Sequence, residues 1–202
     1  MKKILLIAIM TLMGSGLLAA QEIDFGVRAG VNFAKLQGDN VEDADGRTGI
    51  MVGLVGEYMF SDAFGLQAEA IYSQQGLQSE TTFGGSTLEQ ELNLNYINVP
   101  VLAKFYLGGS GLAIEAGPQV GFLVGDSYEI NGEEVEDDLG AETIDLSAGG
   151  GLSYKFKEGS TLEGLSATAR YMIGLSNIYE DDDTFGDDLT NSVLSLSIGY
   201  KF

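Results

Sequence analysis

The sequence of 202 residues contains no cysteine, no histidine and no tryptophan, and only two prolines. Without cysteine the chain has no disulfide framework, no thiolate metal site and no cysteine for a lipid anchor. Without histidine it cannot form the Ser-His or Asp-His pairs that serve acyl transfer and proteolysis. We therefore expect no enzyme of these mechanistic classes.

Basic residues are also scarce, because ten Lys and Arg stand against 30 Asp and Glu and give a formal net charge of −20. No basic stripe is available to neutralise phosphates, which excludes nucleic acid as a partner. The 29 glycines, combined with so few prolines, indicate crowded β-structure rather than disorder. The length suits a single domain.

Residues 1–20, MKKILLIAIMTLMGSGLLAA, are typical of a secretory signal peptide. Two lysines precede an apolar run over residues 4–13, and small residues end the segment near Ala20. The apolar run is too short, and too soon broken by glycine and serine, for a transmembrane helix. We expect cleavage near Ala20 and a mature domain over residues 21–202 that has crossed the inner membrane.

Beyond residue 22, apolar and small or polar residues alternate in eight segments. A period of two is typical of β-strands whose two faces meet different surroundings. The last ten residues, VLSLSIGYKF, show it most clearly, since every apolar side chain from Leu194 to Phe202 falls on one face. The eight predicted strands cover about 23–36, 48–60, 64–78, 92–107, 112–125, 143–156, 165–175 and 193–202.

The fourth segment is irregular, because its apolar residues change parity near Tyr96, and this predicts a β-bulge there. The GGSG turn at 108–111 sets a hairpin in which Lys104 lies directly opposite Glu115. The same register brings Pro100 and Pro118 within one residue of facing each other. Proline donates no ladder hydrogen bond, so the ladder should be interrupted at both positions.

Large apolar residues occupy one face of the predicted strands, whereas glycine, alanine, serine and nearly balanced charges occupy the other. Connections are short after the second, fourth and sixth strands and long elsewhere, as in outer-membrane barrels with periplasmic termini. The sequence predicts an all-β fold, an eight-stranded antiparallel up-and-down transmembrane β-barrel in the outer membrane of a Gram-negative bacterium, surrounded by lipid. A secreted soluble barrel, with its apolar face inward, is the alternative.

Charged residues on the inner face are expected to form a lumenal salt-bridge network, with Glu57 and Glu69 close to Arg28 and Arg170. Carboxylate-pair chemistry by Glu57 and Glu69 is the alternative interpretation. The predicted network consists of Arg28, Glu57, Glu69, Lys104, Glu115, Asp145 and Arg170, with Lys155 and Lys201 on the same face.

The four long loops, at 38–47, 79–91, 126–142 and 179–191, hold 21 of the 30 acidic residues. We interpret them as a solvated anionic surface that is open to a protein partner. Weak Ca²⁺ binding is a second interpretation, with Asp181, Asp182, Asp183, Asp187 and Asp188 as ligands; no other cofactor is expected. A narrow cation-preferring channel is a further alternative, although eight strands leave an interior that side chains fill.

Several stretches carry a family resemblance: the signal peptide, FGVRAGVNFAKL, YINVPVLAKFYL and SLSIGYKF. They resemble the small outer-membrane β-barrel family of Bacteroidetes, often labelled PorT-like, with the architecture of OmpX- and OmpA-like barrels. The resemblance implies the barrel fold, and an accessory role in protein secretion for some members. Our own expectation from the residues is a non-enzymatic barrel with a structural or interaction role. Tyr200 and Phe202 resemble the terminal signal that the barrel-assembly machinery reads during biogenesis.

Overall fold

The computed structural model describes residues 23–37, 45–83, 86–135, 142–156, 159–177 and 190–202. The predicted signal peptide and the aspartates at 181–188 lie outside the described residues. In the described part of the chain, no helix is long and apolar enough to cross a membrane.

The described residues form nine strands. They are β1 (Ile23–Gln37), β2 (Asp45–Ser61), β3 (Phe64–Phe83), β4 (Ser86–Tyr106), β5 (Leu112–Ile130), β6 (Glu133–Val135), β7 (Ile144–Lys155), β8 (Leu165–Gly174) and β9 (Thr190–Lys201).

Eight of these strands close into an antiparallel barrel, which confirms the predicted fold. The order is β4-β3-β2-β1-β9-β8-β7-β5, and pairing of β4 with β5 completes the circle. The last strand closes against the first from Gly26↔Lys201 to Gln37↔Thr190. The short β6 is paired with β5 over three residues beyond the barrel wall.

The alternation of the sequence sorts the side chains between the two surfaces of the wall. Large apolar residues such as Leu54 and Ile198 are exposed on the outside, whereas small and polar residues lie inside together with a smaller set of buried apolar side chains. Glycine on the inner face lets neighbouring strands coil closely: a Cβ on Gly149 would collide with the Tyr171 carbonyl oxygen and with Met172 on β8. The tight curvature of an eight-stranded barrel therefore depends on these glycines.

The two ends of the barrel differ. The turn end carries the connections after β2, β4 and β7, together with the start of β1 and the end of β9. Outward aromatic rings gather there, with Phe60 stacked on Phe64 at 5.5 Å and Tyr200 edge-on to Phe202 at 5.8 Å. The loop end carries the remaining connections.

At the loop end, strand structure replaces much of two predicted loops. The hairpin of β3 and β4 stays paired up to Phe83↔Ser86, where a loop over 79–91 was predicted. Likewise β5 continues to Ile130 and turns into β6, within the predicted loop 126–142. Apolar alternation cannot show such extensions, because both faces of a strand that leaves the membrane meet water.

The predicted parity change in the fourth strand is wrong. Even-numbered side chains of β4 point inward without a break from Leu92 to Lys104, so Leu92, Leu94 and Tyr96 are buried inside the barrel. The bulge opposite Tyr96 lies on β5, because Asn95 pairs with Gly125 and Tyr96 with Leu123, which leaves Val124 as the extra residue.

The predicted proline geometry is confirmed. Pro100 pairs with Gln119, next to Pro118, and the next register pair on these strands is Ala103↔Ala116. The ladder between β4 and β5 is therefore interrupted beside the prolines.

Candidate functional site

The centre of the barrel interior is a guanidinium that joins opposite walls. Arg170 on β8 donates from Nη1 and Nη2 to the two carboxylate oxygens of Glu69 on β3, both at 2.8 Å. Its Nε donates to Glu115 Oε1 on β5 at 2.7 Å. One side chain therefore ties three strands together across the lumen with charge-assisted hydrogen bonds.

Glu69 is shared by a second guanidinium. Arg28 on β1 lies with Nη1 2.9 Å from Glu69 Oε1, and its Nη2 donates to Thr168 Oγ1 at 3.3 Å. The Gln67 amide also donates to Glu69. The carboxylate is thus surrounded by donors on all sides.

A second group of charges lies closer to the turn end, around Glu57. The Tyr106 hydroxyl donates to Glu57 Oε1 at 2.5 Å, and Lys201 forms an ion pair with the same carboxylate. Lys104 connects the two groups, because its Nζ lies 3.6 Å from Glu57 and 3.9 Å from Glu115. It pairs in register with Glu115, as the hairpin predicted.

These charges are deeply buried and nearly balanced. Arg28, Glu69, Lys104 and Arg170 are each 4% exposed, and Glu57 and Glu115 even less. With Lys201, four cations face three carboxylates. Charges buried to this degree are tolerated only when they are paired and hydrogen-bonded, so the cluster acts as one interlocked unit.

The structure divides the predicted network differently from the sequence interpretation. Glu57 and Glu69 do not share their cations, since Glu69 binds the two arginines and Glu57 binds the lysines. Asp145 points inward but lies apart from the cluster, with Ser176 Oγ at 3.2 Å and Asn191 Nδ2 at 3.3 Å. Its short polar neighbours replace the cation that we expected.

Lys155 joins Asp24 at the open mouth of the turn end, with Nζ 3.3 Å from Oδ2. This pair is partly exposed, at 37% and 24% of its side chains, respectively. It closes the charged layer on the side of the turns.

Further along the barrel the interior changes from charged to amide-rich and then to apolar. On β1 the inward residues run from Arg28 through Asn32 to Leu36. A cavity of about 20 Å³ lies at the level of Asn32, between Ser73, Gln75, Asn98 and other side chains. Such a volume holds about one water molecule.

The apolar layer completes the filling. Leu36, Leu92, Leu94 and Tyr96 pack together, with Leu77, Leu123 and Tyr128 against them. In the part of the chain that the structure describes, three successive layers of side chains therefore fill the lumen.

The sequence interpretation missed the neutral members of the charged layer. Tyr106 and Gln67 both bind cluster carboxylates or cations, yet neither is charged. The signal was present, because each stands two residues from a predicted member, Lys104 or Glu69, and so shares its face.

No convergent metal site occurs in the described ranges: no group of three or more His, Cys, Asp or Glu side chains is placed to hold an ion there. The predicted Ca²⁺ ligands Asp181, Asp182, Asp183, Asp187 and Asp188 lie outside those ranges.

The family model of the outer membrane protein beta-barrel domain matches residues 19–180. The chain belongs to this family. Membership assigns this outer-membrane barrel to the bacterial outer membrane, so its exposed apolar surface contacts lipid. The predicted resemblance to outer-membrane barrels is confirmed at this level.

The chain was also compared with solved structures of other proteins. This outer-membrane barrel is similar to Neisserial surface protein A, with 15% identity, a TM-score of 0.55, and coverage of 88% of this chain and 97% of that chain. It is also similar to Ail, the attachment invasion locus protein of Yersinia pestis, with 14% identity, a TM-score of 0.49, and coverage of 90% and 99%. A search of curated proteins found no match. At these identities the likeness concerns the fold alone.

Proposed function

We propose that this outer-membrane barrel is non-enzymatic and acts structurally or by interaction, through the acidic surface at its loop end. The observation that carries the proposal is the filled interior. Arg170, Glu69 and Glu115 are joined across the lumen and almost fully buried. A side chain that lined a water-filled pore would be exposed.

The interior also argues against carboxylate chemistry. Each of the three buried glutamates is held by cations, and the cavity at the level of Asn32, which reaches Arg170, is about 20 Å³. A catalytic carboxylate must be within reach of a substrate, whereas Glu57, Glu69 and Glu115 are almost fully buried.

We further propose that the turn end faces the periplasm and the loop end the exterior. In outer-membrane barrels the periplasmic turns are short and the extracellular loops long. The connection after β2 has two residues and that after β4 has five, whereas β3, β4 and β5 extend well beyond the wall at the other end. Glu91, Glu129 and Glu133 lie on that extension.

We propose the PorT-like Bacteroidetes relationship, cleavage of residues 1–20, and recognition of Tyr200 and Phe202 by the barrel-assembly machinery. Both aromatic side chains are exposed at the end of β9, where an assembly factor would reach them. Weak Ca²⁺ binding by the aspartates at 181–188 remains part of this proposal.

Planar-bilayer recording tests the filled interior. The purified barrel, first shown to be folded by heat-modifiable gel migration, should give no steady single-channel current, with a porin in the same membrane as positive control. Steady cation-preferring currents would overturn the proposal in favour of a channel.

Affinity capture from native outer membranes tests the interaction. The full chain is compared with a variant in which residues 131–142 are replaced by a short Gly-Ser turn. A partner that is captured by the full chain and lost with the variant supports the proposal. The other three loops are replaced in the same way, one at a time. If the full chain and all four loop variants capture the same proteins, the proposal is contradicted.

A further inference from the structure

Strand register at the loop end places acidic residues side by side in one row. Asp45 pairs with Gln78, Gln78 with Glu91, Glu91 with Glu129, and Glu129 with Glu134. We call these five positions, on β2 to β6, the acid row. Neighbouring strands are about 4.8 Å apart, so the row is a short ladder of four acids and one glutamine, perpendicular to the strands.

This arrangement is unfavourable in isolation. Like charges directly opposite each other destabilise a strand pair, and Glu91, Glu129 and Glu134 make two such pairs in succession. Their spacing is shorter than the screening length of about 8 Å at physiological ionic strength. Among the described ion pairs one reaches the row, with Arg47 Nε 2.8 Å from Glu91 Oε1.

Independent evidence for a ligand comes from Asn93, beside the row. Its side-chain amide donates to Glu129 Oε1 at 3.1 Å and to Ser127 Oγ at 3.2 Å. Asn93 is only 8% exposed, and its Oδ1 is buried without a hydrogen-bond donor among the described residues. Buried acceptors are rarely left unpaired, so we expect this oxygen to accept a hydrogen bond from a bound ligand.

We propose that the acid row and Asn93 together bind a lysine- or arginine-rich segment of a partner protein. This inference rests on the proposed function and names the chemistry of its partner. A lysine ammonium has three donors and no acceptor, so an ammonium that bonds the Glu129 carboxylate has donors left for Asn93 Oδ1, once that buried oxygen turns toward it. A further basic side chain can meet Glu91, which is accessible with 36% of its side chain exposed.

A basic segment fits this site better than a metal ion does. Ca²⁺ takes six to eight oxygen ligands, whereas the described side chains offer the carboxylates of Glu91 and Glu129 and one amide oxygen, and Arg47 already occupies Glu91. A chain of several cations also neutralises the row along its length. Anionic partners are repelled by the same charges.

Peptide binding tests the proposal with the full-length barrel in lipid nanodiscs. The probe is a fluorescein-labelled lysine decapeptide, titrated by anisotropy at 0.15 M salt, with a glutamate decapeptide as negative probe. The row variant Glu91→Gln/Glu129→Gln is compared with Asp62→Asn/Glu163→Gln, which removes the same charge at the turn end. The row variant should bind about fivefold more weakly or worse, and the control within about twofold of the wild type.

Asn93→Leu separates a built site from diffuse attraction, because it leaves the net charge unchanged. We expect about threefold weaker binding, since one donor of the ammonium loses its acceptor. Heat-modifiable migration establishes that each variant is folded, and Glu129→Gln alone replaces the double variant if the latter is not.

Three results would overturn the proposal: no binding of the lysine probe by the wild type, equal losses in the row and turn-end variants, or unchanged binding by either the folded Asn93→Leu variant or the folded row variant. These results leave the proposed function standing as long as capture from native membranes depends on the loops. A steady channel current would instead refute the proposed function, whatever the peptide does.

Discussion

Replacing Arg170 by methionine is the sharpest test of the interlocked interior. Methionine keeps much of the side-chain length but removes the charge and all three hydrogen bonds to Glu69 and Glu115. Glu69 retains Arg28 at 2.9 Å. Among the described contacts Glu115 retains Lys104 alone, at 3.9 Å, so most of the cost should fall on Glu115.

The magnitude follows from the burial of the partners. Removing one member of a buried ion pair typically costs about 3–5 kcal/mol, because the other charge stays uncompensated. We expect Arg170→Met to lower the free energy of unfolding by this amount. Lys155→Met is the matched control, since its partly exposed pair with Asp24 should contribute no more than about 1 kcal/mol.

A second substitution isolates the cause. If the uncompensated charge of Glu115 dominates the loss, Arg170→Met/Glu115→Gln should be more stable than Arg170→Met alone, although two groups have then been changed. Such non-additivity is the signature of directly coupled residues.

Unfolding is measured in urea with the barrel in phospholipid vesicles. The chain has no tryptophan, so heat-modifiable gel migration and far-ultraviolet circular dichroism report the folded fraction. A loss below about 1 kcal/mol for Arg170→Met, or a loss equal to that of Lys155→Met, would refute the interlocked cluster.

Three further outcomes are expected. Gly149→Ala should lower the urea midpoint or abolish folding, because its Cβ meets the backbone of β8. Gly56→Ala should change the midpoint little, because its Cβ would lie 3.7 Å from the nearest side-chain atom. Equal midpoints for the two variants would contradict the close-packing argument. Phe202→Ala should leave the stability of the refolded barrel unchanged, since its main-chain bond to β1 remains, yet reduce the assembled amount in cells; normal assembly would argue against the terminal signal. Asp145→Asn should be neutral or stabilising in the same urea assay, because it removes a buried charge that has neutral partners; a large loss would indicate a cation that the described contacts do not include.

The barrel itself was predictable from the sequence, because lipid outside and a crowded lumen inside impose a period of two on every strand. The turn at 108–111 even fixed one interior pair, since a short hairpin leaves a single register for Lys104 and Glu115. Contacts across the lumen were not predictable. Whether Arg170 meets Glu69 or Glu57 depends on the stagger of all eight strands, and no local pattern encodes that stagger.

One error has another cause, namely the assumption that apolar side chains always point outward. Leu92, Leu94 and Tyr96 are apolar and inward, because the loop-end lumen has its own small hydrophobic layer. Conversely, the polar residues beyond Gln78 looked like a loop but continue the hairpin to Phe83. The acid row depends on the pairing of these strand extensions. The number of acidic residues was therefore evident from the sequence, but their positions relative to one another were not.

The pairing of β1 with β9 closes the barrel, so every barrel strand has a neighbour on each side. The Phe202 amide donates to the Phe25 carbonyl at 2.9 Å, so the described ends of the chain lie side by side. A chain permuted to begin at Phe64, with a linker from Phe202 to Ile23, would preserve every strand neighbour and open the polypeptide at the two-residue turn instead. The terminal aromatic pair would then sit mid-chain while another strand completes the cylinder. In the natural order β9 both closes the barrel and carries the proposed signal for the assembly machinery. Permutation would separate these two roles.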